Sequence, residues 1–216
     1  MKNLINNKDY KGIEQALSNN PGLANEGLPY DEVNTIKAHP LHRICDGVFS
    51  GKYTDEEGVK IAKIFLEHGA NINGNKLTEK QDTPLIAASS LHADQVAIFY
   101  INKGADIHHE GTHGGTALHW AAWCGRDKVV RRLVDEGAEI NKRCIDFNAT
   151  PLFWAVHGLK NGGTDNLLDC LECVKILMQS GADKNIQNAE GKTVFDLLTD
   201  DDLELKELFL LSSEQY

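Results

Sequence analysis

The sequence has no run of about 18 apolar residues, the length a helix needs to cross a bilayer. Its opening stretch, MKNLINNKDYKG, lacks the apolar segment that marks a secretory signal. The expectation is a cytoplasmic protein with no membrane partner. Cysteine is sparse: Cys45, Cys124, Cys144, Cys170 and Cys173 are odd in number and without framework spacing, which argues against a disulfide scaffold and for a reducing compartment. Positive charge is also short. Lys and Arg total 22 against 32 Asp and Glu, for a net charge of −10, and residues 196–216 carry seven of the acids against Lys206 alone. Such a field repels a phosphate backbone, so no nucleic-acid partner is expected. A phosphate cradle is missing as well, because Gly111-Thr-His-Gly-Gly115 has neither the following lysine nor a strand-to-helix frame.

What is present is a repeat. A Thr or His that opens a helix recurs at His39, Thr83, Thr116, Thr150 and Thr193, and a Gly-Ala pair recurs at Gly69, Gly104, Gly137 and Gly181. From opener to Gly the distance is 21 residues in two units and 30 and 31 in the other two, so the basic unit is 33 or 34 residues and two units carry insertions, around Val48–Asp55 and Leu159–Leu168. A Thr side chain accepts a bond from an orphan N–H at a helix start, and Pro84 and Pro151 suit the first helical position. Gly after an apolar run takes the left-handed conformation that ends a helix. Between these anchors four apolar positions recur at i, i+1, i+4 and i+5, as in Val129, Val130, Leu133 and Val134, which is the buried face of a helix.

The segments His39-Pro-Leu-His-Arg-Ile-Cys45, Thr83-Pro-Leu-Ile-Ala-Ala88, Thr116-Ala-Leu-His-Trp-Ala-Ala122 and Thr150-Pro-Leu-Phe-Trp-Ala155 recur at this spacing. With Gly69-Ala-Asn-Ile-Asn73, Gly104-Ala-Asp-Ile-His108, Gly137-Ala-Glu-Ile-Asn141 and Gly181-Ala-Asp-Lys-Asn185, they give a pattern that resembles the ankyrin repeat. The resemblance implies an all-α solenoid of about six helix-turn-helix units with hairpin-like loops, the outer two degenerate caps. One domain over residues 1–216 is expected. Residues 1–38 form an N-terminal cap and long loop; 39–82, 83–115, 116–149 and 150–192 are central repeats; 193–216 form a C-terminal cap whose apolar residues, Leu203 among them, make a closing helix. Departures from the pattern are His39 for the opening Thr, and Ala117 and Val194 for Pro.

The resemblance also implies a non-catalytic module, a monomer, that binds a partner protein with its concave groove and loop tips. The acidic charge suggests a partner with a basic surface. Carrying the family's exposed inner-helix and loop-tip positions onto this chain marks Trp123, His157 and Leu91 on helices and His113, Arg143, Asp146 and Phe147 on loops, with Lys80 at an earlier tip. Trp with Arg is the composition of interface anchors, so Trp123 is the expected centre, although packing on a neighbouring helix is an equal reading of that residue. No cofactor is expected. The alternative is a metal-binding or enzymatic protein using His108, His109 and His113, against which stands the want of carboxylate or cysteine companions at ligand spacing. Cys170-x-x-Cys173 reads as core, because Cys173 aligns with Ile61, Val96 and Val129. His42 and His119, three residues after their openers, read as structural.

Overall fold

Helix starts lie where the openers put them. In the computed structural model, which describes residues 1–30, 33–74, 81–162 and 167–211, Thr83 and Thr150 each accept a bond on Oγ1 from the backbone N–H three residues on, at 3.3 Å. His39 does the same work with a ring nitrogen: Nδ1 accepts from Leu41 N–H at 3.3 Å. At Thr116 the bond runs in reverse, from the Thr116 N–H to His119 Nδ1 at 3.1 Å. Helix ends are equally regular. Gly69, Gly104, Gly137 and Gly181 have φ of +85°, +80°, +87° and +90°. The alanine after each donates to the carbonyl five residues back, Phe65, Tyr100, Leu133 and Leu177, at 2.9–3.0 Å, which is the Schellman closure that satisfies the last carbonyls of a helix.

The described chain falls into two compact units, Met1–Asp106 and Ile107–Tyr216. In the first, α1 (Lys2–Asn6) and α2 (Tyr10–Asn19) are followed by a two-stranded antiparallel pair, β1 (Leu28–Pro29) and β2 (Lys37–Ala38), with Leu28 opposite Ala38. Four helices complete it: α3 (Pro40–Phe49), α4 (Asp55–Glu67), α5 (Pro84–Ser90) and α6 (Asp94–Asn102). Helix α3 packs on α4 and α5, and α6 on α4 and α5, around Leu41, Ile44, Ile61, Phe65, Leu85 and Tyr100. The Tyr100 hydroxyl donates to the Leu41 carbonyl at 2.9 Å, so the largest buried side chain here has its polar atom satisfied. In the insertion after α3, Tyr53 turns inward and donates to the Ile44 carbonyl at 3.2 Å, while Phe49 stays exposed.

The second unit holds α7 (Ala117–Trp123), α8 (Asp127–Asp135), α9 (Pro151–Asn161), α10 (Leu167–Gln179) and α11 (Leu203–Leu211). Helix α9 lies on α7 and α10, and α10 on α8, about a core of Leu118, Val129, Leu133, Leu152, Val156 and Val174. The first three positions of the apolar pattern are fully buried, but Val134 and Met178 at the fourth are only half-buried. Val194–Leu197, which the sequence pattern makes a first helix, is a single 3-10 turn. Of the closing helix, Leu205 and Phe209 are buried and Leu203 is 71% exposed, on the outer face.

Asparagines couple successive repeats within each unit. Asn25 donates to Gly69 O and accepts from Asn71 N–H, and Asn141 donates to Gly181 O at 3.1 Å and accepts from Asp183 N–H at 2.8 Å. His108 occupies the place equivalent to Asn73 and Asn141, and its Nδ1 lies 3.7 Å from Glu139 Oε1. The described residues thus form paired, all-α repeats joined by loops, with one two-residue strand pair near the N-terminus.

Candidate binding cleft

Helix α7 carries Trp120 and Trp123 three residues apart, and α9 carries Trp154 and His157 at the same spacing, so each pair shares one helix face. Because α7 and α9 pack side by side, the two faces meet. All three tryptophans of the chain converge there. Trp154 is buried, and the rings of Trp120 and Trp123 stand against it at 5.2 and 5.8 Å, turned by 81° and 73°. Trp123 is half-buried and stacks on the His157 ring at 4.9 Å and 21°. Both readings of Trp123 therefore hold in part: it is packed on one side and open on another. The helices approach this closely because residue 158 is glycine; a Cβ there would sit 2.2 Å from the Trp123 carbonyl oxygen.

Loops supply the rim. His113, at φ +61°, lies 5.1 Å from the Phe147 ring and bonds through Nδ1 to Asp146 Oδ2 at 3.0 Å, while Asp146 N–H donates to the His113 carbonyl at 3.1 Å. Phe147 is 48% exposed and lies 6.2 Å from Trp154. Its carbonyl accepts from Ala189 N–H at 2.8 Å, which holds the next loop, with Asn188, Glu190 and Lys192, against the opening. Together these groups enclose about 560 Å³, within the range of ligand clefts. Two buried polar atoms in its walls, Trp120 Nε1 and His157 Nδ1, have no hydrogen-bond partner. Each such atom costs stability, on the order of 1–3 kcal/mol.

Of the residues expected from sequence, the structure brings Trp123, His157, His113 and Phe147 into the cleft lining, with Asp146 bonded behind His113. Arg143 is elsewhere: Nε donates to Asn148 O at 3.2 Å and Nη2 to Gln187 O, so it ties one loop to the next. Leu91 is half-buried at the C-terminus of α5, in the other unit. Lys80 lies outside the described residues. Trp120 and Trp154, which also line the cleft, are not among the sequence candidates. Their signal is a Trp four residues after the opener in two successive units.

His119 is fully buried, and burial lowers its pKa to about 4. Burial pushes the Cys124 thiol up to about 11 and raises Cys173 further, so neither is a ready thiolate. Among the described residues, no three His, Cys, Asp or Glu side chains stand together as a metal-holding group.

Comparison with known proteins agrees with the repeat geometry. A family model described as ankyrin repeats (3 copies) matches residues 52–144 and 100–188. Palmitoyltransferase ZDHHC13 of Mus musculus is 32% identical over 138 residues, which are 59% of this chain and 21% of that protein. E3 ubiquitin-protein ligase KEG of Arabidopsis thaliana is 33% identical over 125 residues, 55% of this chain and 7% of that one. Ankyrin repeat protein OPG189 of variola virus is 26% identical over 169 residues, 77% of this chain and 27% of that protein. The chain thus spans less than a third of the length of each of these relatives. Since the matched residues 52–188 make up more than half of the sequence and carry the capped helices and Schellman closures described above, the chain belongs to the ankyrin-repeat family.

Proposed function

We propose that the cleft between α7 and α9 is where this chain holds a partner protein, with Trp123 as the central anchor and Phe147, His113 and His157 around it. Ankyrin repeats make a protein-interaction module, and the family is generally non-catalytic. The relatives named as a transferase and a ligase match over a small share of their length. One observation carries the reading: three tryptophans and a half-exposed phenylalanine line an open cleft whose walls leave two polar atoms unsatisfied. Exposed aromatic surface of this kind costs solubility and is the composition of interaction hot spots. No helix among the described residues is long and apolar enough to cross a membrane; on our reading the chain acts as a monomer in the cytoplasm. Asp146 and the loop latched by Arg143 orient the partner at the rim, where charges set approach more than strength.

Affinity capture with the wild-type chain and with Trp123→Ala and Phe147→Ala baits tests the assignment. A protein held by the wild type should be lost from both variants, by about 2 kcal/mol or more for Trp123→Ala, with unchanged circular dichroism. Retention of the same proteins by both folded variants would remove the cleft from the function.

A further inference from the structure

We propose that the cleft receives the guanidinium of an arginine carried on a basic segment of the partner. The inference rests on the reading of this cleft as the docking surface and adds what enters it. Trp120 and Trp123 stand nearly perpendicular to Trp154, so the rings form the walls of a corner and not one flat sheet. Aromatic faces carry negative potential, and a cation held over indole is attracted to it. Among the described residues, ring–cation contacts occur at Tyr30, with Arg43 and Lys52, and at Phe99, with Lys103, all in the first unit. Arg143 is engaged on the carbonyls of Asn148 and Gln187, and Lys192, at the opening, pairs with Glu190 at 2.7 Å.

Charge complementarity selects a cation over an apolar plug. Residues 107–216 hold 18 Asp and Glu against 11 Lys and Arg; Glu190, paired with Lys192, lines the opening and Asp146, bonded to His113, stands just behind it, both exposed. Among cations, arginine fits better than lysine. Its guanidinium is planar and weakly hydrated, stacks on an aromatic face, and still presents edge N–H groups to a carboxylate. About 560 Å³ accommodates that group, its three-methylene stem and the adjoining backbone.

The test uses the full chain and a random twelve-residue peptide display library. Peptides are selected on the wild type, and each is resynthesised with every arginine replaced by citrulline, the neutral isostere. Arginine should be enriched, citrulline should weaken binding at least tenfold, and Asp146→Asn and Glu190→Gln should each weaken it several-fold. The indole N–H resonances of Trp123 and Trp154 should shift on binding. Peptides that bind through the cleft but are rich in proline or aromatics without arginine, or whose citrulline forms bind equally, overturn the arginine assignment and leave the docking surface standing. Peptides that bind Phe147→Ala and Trp123→Ala as tightly as the wild type overturn the docking surface itself, and the arginine with it. Phe147 is half-exposed, so its truncation reports even where Trp123→Ala disturbs folding.

Discussion

Replacing His119 with glutamine should flatten the pH dependence of stability. The His119 ring is fully buried and both nitrogens are committed: Nδ1 accepts from the Thr116 N–H and hydroxyl at 3.1 and 3.0 Å, and Nε2 donates to the Ala149 carbonyl at 3.2 Å. A second proton would have to sit on the nitrogen that accepts. Burial dominates, and the pKa falls to about 4 from an ordinary 6.5. Above pH 6.5 the ring is neutral whether folded or unfolded, and its contribution is fully present. Between pH 6.5 and 4 the unfolded chain takes up a proton that the folded chain refuses, so stability falls with pH. The slope approaches about 1.4 kcal/mol per pH unit and the total reaches about 3 kcal/mol by pH 4. Glutamine at this third helical position can still reach back to the Thr116 N–H, as in a capping box, but does not titrate. Urea unfolding followed by tryptophan fluorescence is the assay, because all three tryptophans lie in the same unit as His119. The variant should lose about 1 kcal/mol at pH 7.5 with the bond to Ala149, and its stability between pH 6 and 4.5 should fall less steeply by about one proton. A slope equal to that of the wild type would show that His119 is not held neutral by burial.

Leu133→Ala, at a fully buried position of α8 that also closes the helix end, should cost about 2–5 kcal/mol in denaturant unfolding. A loss below about 1 kcal/mol would mean that the cavity collapses. Gly158→Ala places a Cβ against the Trp123 carbonyl and should lower the melting temperature, by the equivalent of about 1–3 kcal/mol; an unchanged melt would show that α7 and α9 separate at little cost. Asn141→Ala removes the bonds to Gly181 O and Asp183 N–H. The Asp183 amide should then exchange faster with solvent while the amides of α8 keep their protection.

Helix starts and ends were legible in the sequence because they are decided over four or five residues. A threonine with a proline after it, or a glycine that takes positive φ, does the same thing wherever the repeat places it, and His39 shows that an imidazole nitrogen serves where the hydroxyl is missing. The buried slots were legible for a similar reason, since period alone assigns a helix face. Which way a ring turns is not local. Trp120 and Trp154 sit in positions that the pattern marks as inner helix, and only the packing of α7 on α9 makes one the wall and the other the floor of a cleft. Arg143 belongs on a loop tip by spacing, yet its long side chain finds the Gln187 carbonyl 44 residues away and becomes a latch. Tyr53 goes inward and Leu203 outward though both are apolar residues near helix ends, because the carbonyl that satisfies one and the solvent that meets the other come from neighbouring elements. The sequence by itself determined the repeat, its caps and its core, through contacts within a turn of helix; the cleft was decided by tertiary structure, since its walls are side chains 30 to 40 residues apart whose orientation depends on how their helices pack.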